Sequence, residues 1–75
     1  MNPTPGRIVL YRLPNGPFAG EQRPAVVVRA DATLGLRVFT TPNDGICYGK
    51  EGVFWVEGVS PGMGPGEWIW PPRAG

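Results

Sequence analysis

The chain of 75 residues has no histidine, one cysteine and one lysine. Without histidine, Ser-His and Cys-His nucleophile systems are excluded, and zinc and most transition metals lose their usual nitrogen ligand. The lone Cys47 allows no intramolecular disulfide and no cysteine cluster for a metal. Long apolar runs are missing as well. None approaches the ~20 residues needed to span a bilayer, and "MNPTPGR" has no apolar signal-peptide core. The expectation is a soluble intracellular protein.

Charge of one sign is also lacking. Seven basic and six acidic residues give a net charge of +1 and are mixed along the chain, so there is no basic stripe of the kind nucleic-acid binders carry. The carboxylates Glu21, Asp31, Asp44, Glu51, Glu57 and Glu67 stand singly, with no pair spaced for acid–base work. "GMGPG" has no helix after it, as a phosphate loop requires, and its proline removes a donor. Catalysis is not expected, and neither a metal nor another cofactor is called for.

Glycine and proline are plentiful, at twelve and ten residues. They gather in "LPNGP", "TPNDG" and "SPGMGPG", and the segments between them are rich in Val, Ile, Leu and aromatics. That is turn punctuation between strands. "RIVLYRL" (7–13) reads as the first strand, and "PAVVVRA" (24–30) as the second. Pro24 is expected at the second strand's first residue, since it cannot donate a ladder bond. "LGLRVFTT" alternates Leu34, Leu36 and Val38 against Arg37 and Phe39. "GVFWVEG" sets Val53, Trp55 and Glu57 opposite Phe54 and Val56. The Asn43-Asp44-Gly45 turn separates these two strands. "VSPGMGPG" is a loop or one 3₁₀ turn, and "EWIWPPRAG" is a short strand stopped by Pro71 and Pro72.

No stretch has helical spacing with caps. The fold class expected is all-β, a single small SH3-like barrel of about five short antiparallel strands spanning residues 1–75. So short a chain buries about 60–65% of its unfolded surface. Its stability on its own is then on the order of 3–5 kcal/mol, and oligomerisation or docking would add to it.

"GRIVLYRLPNG" followed by "GEQRPAVVV" resembles the opening of the MazF/Kid-type toxins. These are SH3-like barrels that cut RNA without a metal. The resemblance covers about the first 30 residues. It implies a catalytic role for Arg23, with Thr40 or Thr41 as the hydroxyl partner, and Arg could stabilise charge developing on phosphorus. A second resemblance spans nearly the whole chain. The order "PGRIVLYRL", "RPAVVVR", "LRVFTTPNDG", a Trp-containing strand and "GEWIWPP" is similar to a group of small tailed-phage proteins. It implies phage origin and a compact barrel.

Six of the seven cations are Arg, a type suited to forked contacts with anions. Arg7, Arg12, Arg23 and Arg37 are the candidates for anion contact. Trp55, Trp68 and Trp70 are the candidates for stacking or docking. Trp68 and Trp70 lie two apart, so an extended tail turns both rings the same way. Cys47 is expected to be half-buried rather than reactive.

These readings lead to a phage-encoded, non-catalytic binding module, expected to bind a host protein or a small nucleotide-like signal in the host cytoplasm. A homo-oligomer or larger assembly is expected, with a small anionic ligand possible and no membrane. A capsid or tail accessory protein is the alternative. A metal-independent ribonuclease is a further one.

Overall fold

The computed structural model describes residues 3–41, 48 and 52–72. Strands β1 (Ile8–Arg12), β2 (Gln22–Ala30), β3 (Leu34–Phe39), β4 (Val53–Glu57) and β5 (Trp68–Ile69) form one sheet in the order β4-β3-β2-β1-β5. Every neighbouring pair is antiparallel. The chain is all-β, as its turn punctuation implies, with a small barrel-like architecture. The turn at Asn43-Asp44-Gly45 and the position of Cys47 lie outside the described residues.

The barrel is drawn together after β4. Val59 N–H donates to the Leu34 carbonyl at 3.5 Å, still beside β3. The chain then crosses to β5, where Trp68 N–H donates to Ser60 and Gly62 N–H donates to Trp68, at 3.1 and 3.0 Å. A parallel bridge joins Pro61 to Trp68. The segment 59–62 thus spans the gap between the two ends of the sheet.

The core follows the pleat. Val9, Tyr11 and Leu13 from the first strand region meet Ala25 and Val27 of β2 and Leu36 and Val38 of β3. Val59 and Trp68 complete the buried cluster. The alternation read in 34–39 holds: Leu36 and Val38 are fully buried, while Arg37 and Phe39 are exposed. A single β-bulge between Val27 and Arg29 interrupts the β2–β3 register. It bends β2 and increases its twist.

Pro24 is not where the sequence suggested. β2 begins at Gln22, so Pro24 is its third residue, opposite Leu10. The backbone parity explains why this is tolerated. Leu13 N–H bonds Glu21 and Val27 N–H bonds Arg7, so odd-numbered β2 residues face β1. The Pro24 nitrogen therefore lies on the β3 side, and there the paired register stops at Ala25↔Val38. No ladder donor is required at that position.

Candidate functional site

The seven candidate side chains fall into three environments. Arg12 and Arg23 are used by the fold. One Arg12 Nη donates to the Gly20 carbonyl, pinning the β1–β2 loop, while its Nε is buried with no hydrogen-bond partner. Arg23 is 13% exposed at its side chain and donates to Glu21 Oε1 at 3.0 Å and to the Gln22 carbonyl at 3.2 Å. Its guanidinium carbon also stands 5.8 Å from the Phe18 ring centroid. Thr40 lies two residues beyond Val38 on the neighbouring strand, and its hydroxyl is buried without a partner. β2 and β3 therefore bring the Arg23 and Thr40 positions to the same end of the sheet, with Arg23 already engaged by a carboxylate.

The Trp68–Trp70 pair has one buried member and one half-exposed member. Trp68 is 5% exposed, and its indole N–H has no hydrogen-bond partner. Its ring meets Trp70 edge-on, with centroids 5.4 Å apart, which fits the expected common side. Trp68 is thus a core plug, and Trp70 is the half-exposed ring of the pair. Arg7 lies over Trp70 at 5.7 Å, within cation–π range. Gly6, Arg7, Ile8, Trp70 and Pro71 line a groove of about 450 Å³ there. A second cavity of about 260 Å³ has Asp31, Thr33, Val59 and Trp68 among its lining residues.

The third environment is the outer face of the sheet. The register sets Ile8 beside Val26, Val26 beside Arg37, and Arg37 beside Trp55. This gives one row across four strands. A parallel row holds Ile69, Leu10 and Pro24, with Phe39 beside Val53. Ile8, Val28, Phe39 and Trp55 are each 40–50% exposed. In the middle stands Arg37, 5.8 Å from the Trp55 centroid. It forms no salt bridge among the described residues. The Trp55 ring lies flat enough over Gly35 that a Cβ there would come within 2.7 Å of it.

Arg29 closes the rim of this face, bonding Asp31 at 3.1 Å and approaching Glu57 at 3.8 Å. It was not among the sequence candidates, and neither were Ile8 and Val26, the aliphatic members of the row that holds Arg37 and Trp55. A signal for the row was available. "IVL" and "VVV" carry apolar residues at consecutive positions, which a strand with one wet face does not need.

The glycine-rich loop holds an anion, but one of the chain's own. Glu67 Oε1 accepts from Gly64 N–H at 2.7 Å, and Glu67 N–H donates back to the Gly64 carbonyl at 3.1 Å. Gly62, with φ +155°, leaves room that a Cβ would fill, at 2.3 Å from that carboxylate oxygen. Among titrating groups near the core, burial first and then neighbouring Tyr48 push the Tyr11 phenol above its usual 10.0. Tyr48 itself stacks on Phe54 at 4.5 Å and closes the β1–β2 loop through hydrogen bonds with Asn15.

The sequence matches no protein-family model, and neither the curated proteins nor the solved structures hold a match to it.

Proposed function

We propose that this chain is a phage-encoded, non-catalytic binding module that sequesters a host protein in the host cytoplasm. The observation that carries the reading is the row Ile8, Val26, Arg37 and Trp55 on the outer face. An apolar patch of this kind on a small soluble domain marks an interaction surface. Arg37 within the row and Trp55 at its β4 end are of the residue types that dominate binding energy at interfaces. Arg37 without a carboxylate of its own favours a partner presenting an acidic group inside an apolar contact. Phage origin rests on the resemblance in strand order and in the "GEWIWPP" tail.

A second reading draws on the groove at Arg7 and Trp70. A planar anion such as a small nucleotide-like signal would stack on the ring and meet the guanidinium.

Native mass spectrometry on protein purified from a bacterial host separates the readings. A stoichiometric host protein, lost in Arg37→Glu and retained in Arg7→Ala, is the expected result. A bound small mass lost in Arg7→Ala selects the second reading instead. Chains found at fixed copy number in purified virions would overturn both in favour of an accessory virion role. Metal-free cleavage of single-stranded RNA that disappears in Arg23→Ala would overturn them in favour of a ribonuclease.

A further inference from the structure

The two ends of the sheet are treated differently. At one end, β5 is two residues long, followed by Pro71 and Pro72, and its outer side is bonded to Ser60 and Gly62. That edge is covered. At the other end, β3 is the single strand neighbour of β4 among the described residues. Thr40 N–H bonds the Gly52 carbonyl at 2.7 Å, and this sets the parity of β4. Residues Phe54 and Val56 therefore bond β3, and the N–H and C=O groups of Val53, Trp55 and Glu57 point away from the sheet. The usual protections of an edge are short length, charged side chains, proline or a bulge. Over its five residues "VFWVE", β4 has no proline and no bulge, and its one charge, Glu57, stands at its last position.

We propose that β4 pairs with β4 of a second copy of this chain, antiparallel about a two-fold axis at Trp55, to give a sheet continuous across the dimer. The register is self-complementary. Trp55 lies opposite its own counterpart, and Val53 lies opposite the partner's Glu57. No like charges face each other, because the single charged residue of β4 sits at one end. Each Arg37 stays one strand inward, over its own Trp55. The paired tryptophans join the two apolar outer faces into one. An isologous contact of this kind closes at two chains and leaves no further edge of the same type to extend. The pairing is separate from host-partner binding and holds or fails independently of it.

The backbone parity supplies the test. Proline at residue 53 or 57 removes an N–H that points out of the sheet and leaves the β3–β4 ladder intact, so Val53→Pro and Glu57→Pro should fold. Sedimentation of the full-length chain over a range of concentrations is expected to show a dimer for the wild type and for Glu57→Gln. Both proline variants should retain their tryptophan fluorescence and sediment at one chain's mass. A wild type that stays monomeric throughout would overturn the proposal, as would folded proline variants that remain dimeric. If the proline variants do not fold, hydrogen exchange on the wild type decides. Concentration-dependent protection of the Val53, Trp55 and Glu57 amides supports the pairing, and rapid exchange of these amides in a populated dimer overturns it.

Discussion

Gly35 and Trp55 show how a single missing side chain shapes the outer face. A Cβ at residue 35 would meet two Trp55 ring carbons at 2.7 Å and Arg29 Cβ at 3.3 Å, so Gly35→Ala lifts the ring off the sheet. We expect a loss of about 1–3 kcal/mol, the usual range for overpacking, read in denaturant unfolding, with a red shift in tryptophan emission. Trp68 poses the opposite case. Its buried, unpartnered indole N–H carries a desolvation cost of about 1–3 kcal/mol, which Trp68→Phe relieves while losing ring area. That variant should therefore lie well above Trp68→Ala, for which about 3–5 kcal/mol of destabilisation is expected, in denaturation midpoint. Tyr11 sets an alkaline limit. Its phenol is raised above 10.0 in the folded chain, so between the unfolded and folded values the native state holds the extra proton. Stability from this source is complete below pH 10 and falls as pH rises further. Alkaline titration followed by tyrosinate absorbance and circular dichroism should show unfolding that moves to higher pH in Tyr11→Phe.

At the level of elements, the strands were legible where side chains alternate and less so where backbone parity decides. Leu36 and Val38 against Arg37 and Phe39 show the two-residue period directly, because one side of β3 faces the core and the other does not. Phe54 and Val56 against Trp55 and Glu57 do the same in β4. The start of β2 was misplaced by two residues, because proline's missing donor argues for a strand end only if that nitrogen faces a partner. The Gly/Pro-rich segment 59–66 was readable as a loop, while Val59's burial and the Pro61–Trp68 bridge depend on a contact between distant segments. Its grip on Glu67 can be checked. Glu67→Gln keeps an acceptor for Gly64 N–H and should leave stability within about 0.5 kcal/mol, the usual scale of a surface change. Glu67→Ala should cost about 0.5–1.5 kcal/mol, as for a lost hydrogen bond, both read by thermal unfolding.

For the whole molecule, a core of nine buried residues in the described chain leaves little redundancy. Leu36→Ala, at a fully buried position, is expected to cost about 2–5 kcal/mol. That is comparable to the whole stability of about 3–5 kcal/mol for a domain of this size, so most of the variant should be unfolded in circular dichroism at room temperature. The candidate site was only partly legible at this scale. Arginine and tryptophan types pointed to Arg37 and Trp55, but which arginines are occupied by Glu21 or a carbonyl, and which stand free on the face, depends on tertiary placement. The bulge at Val27–Arg29 has a consequence for chain length. On its far side Arg29 still opposes Gly35 and Ala30 opposes Leu34, while Val27 opposes Leu36. Val28 is thus the one β2 residue whose deletion leaves every β2 partnership, with β1 and with β3, unchanged. Removing any residue from Gln22 to Val26 instead shifts its N-terminal neighbours by one and turns their side chains to the opposite face. Relatives one residue shorter would therefore be tolerated at Val28, straightening β2 while its register stays fixed.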